Sequence, residues 1–134
     1  MKLGNALVAA AGIDAILMDA GNPRKMSFRV RARLSRINDI LKKELDLYES
    51  ERVRLVKEFG EEVEKDGEKV INVLDANLED FYKELEKVLA TELDVTYKKV
   101  TPEEFKDIEE LNIDITDAQL KALFEHVFDE SLSA

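Results

Sequence analysis

Cysteine is absent from this chain of 134 residues, and glycine, proline and histidine are scarce, at five, two and one. Without cysteine there is no disulfide framework, no thiolate metal site and no cysteine nucleophile, and nothing favours secretion. With 45% hydrophobic and 37% charged residues, the composition excludes disordered and low-complexity chains. The length predicts one ordered domain, residues 1–134.

Long hydrophobic runs are also missing. The most apolar stretch, residues 6–18, is interrupted by Gly12 and Asp14, whereas a spanning helix needs about 20 apolar residues. Its basic flank is too weak for a targeting segment. We therefore expect a short, alanine-rich packed helix with a small face, and no membrane partner. That face consists of Ala6, Ala10 and Ile13.

Positive charge is in short supply overall, but it is concentrated near the amino terminus. Thirty acidic against twenty basic residues give −10, yet the chain up to Lys43 carries +6 and the remainder −16. An acidic protein repels nucleic acid, although a local basic patch still acts over roughly 10 Å. The balance therefore favours protein partners over nucleic acid.

Apolar residues at helical spacing predict one long amphipathic helix from Phe28 to Phe59, with Ser27 as its amino-terminal cap and Gly60 as its stop. Such a helix is about 48 Å long at 1.5 Å per residue. We expect part of it to project from the domain or to pair with a second copy. The apolar stripe comprises Val30, Leu34, Ile37, Leu41, Tyr48, Leu55 and Phe59.

Turn and capping signals divide the rest of the chain. Asp66 and Gly67 predict a small hairpin, and a packing helix is expected to begin near Asp75 or Asn77. Alternation of apolar residues predicts strands at 93–97 and 111–115. Capping boxes then open two helices, the last of which carries residues 120–128 and leaves a tail over 130–134. The boxes are Thr101 with Glu104 and Thr116 with Gln119.

The fold class predicted is α+β, mostly helical. A long amphipathic helix packs on a second helix with a small hairpin between them, and a short strand and a capped terminal helix follow.

Four groups of residues in the sequence form a recognisable pattern. They are Lys2, Leu3, Asn5 and Ala6; Leu47, Tyr48, Glu49, Arg52, Leu55, Phe59 and Gly60; Asp66 and Gly67; and Phe81, Lys83, Glu84, Leu85, Leu89, Glu92 and Val95. With these residues the chain resembles the small proteins of unknown function encoded by tailed phages and prophages, mostly of Gram-positive bacteria. The resemblance implies a phage accessory or structural protein acting inside a bacterial host, and it carries no activity.

Catalytic and metal-binding patterns are weak. His126 is the only histidine and is expected at the surface, and no serine stands in a nucleophile-elbow setting. The many carboxylates look like solvated faces. The stretch from Asn112 lacks the glycine and the closing glutamate of a calcium loop, with Asp117 and Leu123 in their places. We therefore predict no enzyme, no metal and no cofactor.

A basic patch is the first feature that stands out. Six basic residues and no acid lie between Arg24 and Arg36, and Arg29, Arg33, Arg36 and Lys43 fall on one face of the long helix. This face could bind an acidic protein or a nucleic-acid backbone, because such binding releases counterions. Alternatively, it neutralises the acidic half of its own chain or of a partner subunit, and the net charge favours this interpretation.

Arg52 is the second such feature, because it falls at the edge of the apolar stripe, where a charge needs a partner. A structural ion pair with Glu84 or Glu86 of the next helix is expected.

These observations predict a non-enzymatic phage protein that acts by protein–protein contact, located in the host cytoplasm or the virion. It would be a virion or tail-assembly component bound to a phage structural protein, or an inhibitor of a host factor or defence enzyme. The alternative is a nucleic-acid-binding protein that uses the basic patch. A homo-oligomer formed through the long helix also fits the stripe.

Overall fold

The computed structural model describes residues 1–133 and contains five α-helices and two small antiparallel strand pairs within them. The helices are α1 (Leu3–Leu17), α2 (Phe28–Phe59), α3 (Leu78–Leu89), α4 (Pro102–Glu109) and α5 (Asp117–Ala122). The strands are β1 (Met18–Asp19), β2 (Asn22–Pro23), β3 (Gly60–Lys65) and β4 (Glu68–Val73). The predicted fold class, α+β and mostly helical, is confirmed.

The alanine-rich helix α1 lies at the centre of the core. The predicted small face, Ala6, Ala10 and Ile13, is buried, and α1 packs against both α2 and α5. Gly12 permits close contact with the turn that follows α5, because a Cβ at this position would lie 3.1 Å from the Leu123 side chain. Small residues thus allow neighbouring helices to approach the α1 backbone.

Helix α2 has the predicted bounds, and both of its ends have local causes. The Ser27 hydroxyl accepts a hydrogen bond from the Val30 amide at 3.5 Å, and the helix stops at Gly60. Gly60 is required for steric reasons. A Cβ there would lie 2.3 Å from the Val56 carbonyl oxygen and 2.6 Å from Cγ2 of Ile71.

The predicted hairpin is confirmed as β3 and β4, which pair from Gly60 opposite Val73 to Lys65 opposite Glu68. Asp66 and Gly67 form the two-residue turn with φ of 54° and 80°. Two successive positive φ values match the right-handed twist of the strands, and glycine adopts them most easily.

The predicted strands at 93–97 and 111–115 are replaced by extended chain. Around the first segment, pairing is confined to single bridges, Lys2 with Glu92 and Val100 with Phe128. The Val100 amide donates to the Val127 carbonyl at 2.9 Å, and the Asp129 amide donates to the Val100 carbonyl at 2.8 Å. The alternating side chains pack on helices, so no neighbouring strand is available to form a ladder.

The carboxyl-terminal helix is shorter than expected. Both predicted capping boxes are present, but α5 passes into a π turn at Leu123–Val127, and a 3₁₀ turn follows at Glu130–Ser133. Of the predicted tail, Ala134 lies outside the described residues. Three phenylalanines pack edge to face in this region, with ring centroids 5.1 to 5.9 Å apart. They are Phe105, Phe124 and Phe128.

Burial divides the chain into two regions. We call residues 1–41 together with 91–133 the body, and residues 42–90 the arm. The main hydrophobic cluster lies in the body. In the arm only Leu55 and Phe81 are buried, and they lie where α3 packs along the second half of α2. Helix α2 is therefore continuous through both regions while its surroundings change at Leu41.

Candidate binding groove on the long helix

The predicted basic patch lies on one face of α2, and the structure divides it into paired and unpaired cations. Arg29 Nη1 lies 3.6 Å from Glu103 Oε2, and Arg33 Nε lies 3.2 Å from Glu104 Oε1. These contacts tie the start of α2 to α4, as the prediction of neutralisation within the chain requires. Arg36 and Lys43 have no hydrogen bond or ion pair within residues 1–133.

The extended chain after residue 92 completes a concave site beside this face. The cavity has a volume of about 340 Å³. Its lining residues are Arg33, Arg36, Ile37, Ile40, Tyr97 and Lys98. We call it the basic groove. Lys98, like Arg36, has no partner among the described residues. The groove therefore places basic side chains beside the apolar side chains of Ile37, Ile40 and Tyr97.

Tyr97 is held in place by its hydroxyl group, which donates a hydrogen bond to the His126 carbonyl at 2.7 Å. Burial raises the pKa of Tyr97 to about 12, so the phenol stays neutral and keeps its donor at physiological pH. The ring is thereby fixed against α2 while the next residue, Lys98, is exposed.

The face of α2 that carries the groove continues into the arm. Lys43 and Leu47 follow Ile40 at helical spacings of three and four residues. The Leu47 side chain is 55% exposed, although it is large and apolar. The basic groove and this extension together form a mixed surface of cations and apolar side chains.

Glu104 is the buried charge beside the groove, with an exposed fraction of 2%. Its carboxylate accepts hydrogen bonds from the Thr101 amide at 3.0 Å and from Arg33 Nε at 3.2 Å. Burial raises the pKa of Glu104, but the hydrogen bonds from Thr101 and Arg33 outweigh this and leave the pKa below its usual value. Glu104 therefore remains ionised and fixes Arg33 at the groove wall.

Arg52 forms an ion pair, but the predicted partner is wrong. Its guanidinium pairs with Glu49, three residues earlier on the same helix, whereas Glu84 of α3 pairs with Lys87 at 2.9 Å. The Arg52 side chain is 41% exposed, since α3 leaves the edge of the stripe open. The charge stays in water and needs no partner from the other helix.

The expectation that His126 lies at the surface holds only in part, because the residue is half-buried. Its side chain is only 21% exposed, and its Nε2 is buried 3.7 Å from Glu125 Oε2. Burial lowers the pKa of His126, Glu125 opposes this, and the amino terminus and Lys99 lower the pKa further.

Two of the serine hydroxyl groups donate hydrogen bonds to nearby carboxylates. Ser27 donates to Asp107, and Ser131 donates to Asp129.

A smaller apolar cavity of about 190 Å³ lies between α4, α5 and the chain that joins them. Phe105, Leu111, Ile113 and Phe124 are among its lining residues, and Glu109 is the one charged residue among those that line it. This arrangement supplies hydrophobic contact and little else, so it adds no reactive group to the chain.

Residues 1–133 were compared with the requirements of a metal-ligand cluster and of a membrane-spanning helix. No group of three or more histidine, aspartate or glutamate side chains there could hold a metal ion. No helix in the same part of the chain combines the length and apolar character needed to cross a bilayer.

Sequence reasoning found the α2 half of the groove and missed the other half. Tyr97 and Lys98 lie about sixty residues away in the chain, and no spacing links them to Arg33 or Arg36. The alternation around Tyr97 was the one local signal, and it would have placed Tyr97 and Lys98 on opposite sides of a strand, whereas both line the groove. It gives no partner for that segment.

Comparisons with protein-family models, with curated proteins and with solved structures found no match to this chain.

Proposed function

We propose that the chain is a non-enzymatic protein that acts by protein–protein contact through the basic groove and the adjoining face of α2. The single observation that carries this proposal is the set of unpaired cations, Arg36, Lys43 and Lys98, beside an apolar strip. The strip consists of Leu47, which is exposed, and of Ile40 and Tyr97, which are partly exposed. Interfaces combine an apolar centre with a charged rim, which is the composition found here.

The charge pattern indicates the kind of partner. The protein carries −10 overall, so an acidic partner is repelled at long range and attracted only where this face is presented. Orientation is then selected by charge, while Ile40, Tyr97 and Leu47 provide the surface removed from water. An acidic segment with apolar anchors fits this surface.

The resemblance to small phage proteins supplies the biological setting of the proposal. The chain would act in the host cytoplasm or the virion, either as a virion or tail-assembly component or as an inhibitor of a host factor or defence enzyme. In both cases the function is binding.

Contact with protein is favoured over contact with nucleic acid because Arg29 and Arg33 already neutralise carboxylates of α4. A phosphate backbone would have to compete with Glu103 and Glu104 for these guanidinium groups. Two of the three arginines expected to grip nucleic acid are therefore engaged within the chain.

The test compares partners captured by three forms of the tagged chain from infected or prophage-induced bacteria, after nuclease treatment. The forms are the wild type, a groove variant and a control variant, with bound proteins quantified by mass spectrometry. The groove variant is Arg36→Glu, Lys43→Glu, Lys98→Glu. The control is Lys57→Glu, Lys65→Glu, Lys106→Glu, which makes the same charge change at exposed lysines elsewhere.

We expect one defined partner to be lost from the groove variant and retained by the control, and to stay bound to the wild type as salt rises. Retention by both variants would contradict a role for the groove. Loss of all binding on nuclease treatment, with a steep dependence on salt, would instead identify a nucleic-acid-binding protein.

A further inference from the structure

The hairpin of the arm has two free edges. Because a two-residue turn joins β3 to β4, the closing pair is Lys65 with Glu68, and every second residue from there bonds across the hairpin. The backbone groups of Lys69, Ile71 and Val73 therefore point away from β3. No backbone hydrogen bond within residues 1–133 reaches them from elsewhere.

Strand β4 exposes large apolar side chains at its free edge. Five of the six residues of β4 are exposed, and they include Val70 and Ile71. Ile71 is 41% exposed although it is the middle residue of the free edge. Isolated two-stranded hairpins are marginal in water, and exposed apolar edges pair with other strands.

Charge distinguishes the two edges. Strand β3 carries Glu61, Glu62 and Glu64 against one lysine, whereas β4 carries Glu68 and Lys69, which cancel. Two β3 strands side by side would place six glutamates together, and like charges on paired strands are destabilising. Two β4 strands bring together equal numbers of opposite charges and two apolar runs.

We propose that β4 pairs antiparallel with β4 of a second copy of this chain, forming a four-stranded sheet across a two-fold axis at Ile71. An edge strand related by two-fold symmetry must pair with itself. Centring the axis on Ile71 is the register in which Lys69, Ile71 and Val73 of both copies all join the ladder. Ile71 then faces Ile71 of the second copy, and Lys69 faces Val73.

The test measures dimerisation by sedimentation velocity across the micromolar to millimolar range for the wild type and two proline variants. Ile71→Pro removes an outward amide from the pairing edge, and Glu62→Pro removes the outward amide of its cross-strand neighbour on β3. Proline is tolerated at such edge positions. We expect Ile71→Pro to weaken dimerisation by about tenfold or more, since the central hydrogen bonds and apolar contact are lost. Glu62→Pro should dimerise like the wild type.

Cysteine crosslinking gives a second readout that does not depend on how proline affects the hairpin. The natural chain has no cysteine, so Ile71→Cys introduces a single thiol. Directly opposed residues lie about 5.5 Å apart between Cα atoms, within the range of a disulfide. We expect Ile71→Cys to crosslink rapidly and Val63→Cys on β3 to stay monomeric.

A monomeric wild type, or equal crosslinking at both cysteines, would overturn the dimer. The groove variant described above keeps the hairpin and should still dimerise. Loss of the dimer and loss of the groove partner are therefore separate results, and either proposal can fail without the other.

Discussion

Glu104 combines two stabilising contacts in one side chain, the capping box of α4 and the ion pair with Arg33. Glu104→Ala removes both and leaves Arg33 unpaired, so we expect a loss of about 1–3 kcal/mol in the free energy of unfolding. Urea denaturation at neutral pH measures this loss. Gln119→Ala, at the same position of the second capping box, should cost less because no ion pair is broken.

The Glu104 carboxylate also makes the free energy of unfolding depend on pH. Its pKa is lower in the folded chain than its usual value, so its contribution is present above about pH 4.3, the ordinary glutamate pKa. That contribution is lost as the pH falls through the folded pKa, because the folded state must then take up a proton. Glu104→Gln should flatten the decline in unfolding free energy below pH 5. An unchanged acid profile would contradict the pairing.

His126 affects the free energy of unfolding in a higher pH range than Glu104. Its folded pKa is lowered by burial, so the unfolded chain binds a proton more readily near the ordinary value of about 6.5. Stability should therefore fall as the pH drops from 7.5 to 5.5, and His126→Gln should remove that part of the slope. Proton NMR titration of the His126 ring gives the folded pKa directly. A value above that of a model peptide would refute the assignment.

At the scale of elements, the junction between α2 and β3 depends on the missing side chain of Gly60. Gly60→Ala would place a Cβ against the Val56 carbonyl and Cγ2 of Ile71, and overpacking of this kind costs about 1–3 kcal/mol. We expect amide exchange in β3 and β4 to accelerate. The control is Gly21→Ala, which has no neighbour within 4 Å at the added Cβ and carries only the strain of a positive φ.

The elements with local signals were predictable from sequence, and those that depend on chain path were not. Ser27 and Gly60 set the bounds of α2, and Asp66 with Gly67 set the hairpin, because caps and turns are decided by neighbouring residues. The segment around Tyr97 has the alternating pattern of a strand, but its apolar side chains pack on helices and no second strand within residues 1–133 pairs with it. Arg52 has an acid within reach on its own helix, so the angle on a helical wheel could not give its partner.

The candidate site was predictable to the same extent. Arg29, Arg33, Arg36 and Lys43 share a face because they share a helix, and periodicity shows that directly. Which of them are neutralised depends on α4 docking beside the start of α2, a tertiary contact that leaves no local trace. The unpaired cations are what remains after that contact forms.

Across the whole molecule, body and arm should differ in stability because burial is concentrated in the body. Leu41 and Leu55 are both buried on α2, one at the edge of the body and one in the arm. Replacing either with alanine should cost about 2–5 kcal/mol locally. We expect Leu41→Ala to speed amide exchange throughout the chain, and Leu55→Ala to speed it only in residues 42–90. Uniform acceleration by both variants would show a single cooperative unit.

Because α2 runs without a break from the body into the arm, it holds the basic groove and the hairpin at a fixed distance and a fixed rotation about the helix axis. Arg36 and Phe59 are separated by about 35 Å at 1.5 Å per residue. Lengthening α2 by seven residues near Lys43 would carry the hairpin about 10 Å further from the groove while rotating it only slightly, whereas two added residues would turn it to the opposite side. Helix α2 thus fixes both the distance and the angular position of the hairpin relative to the basic groove.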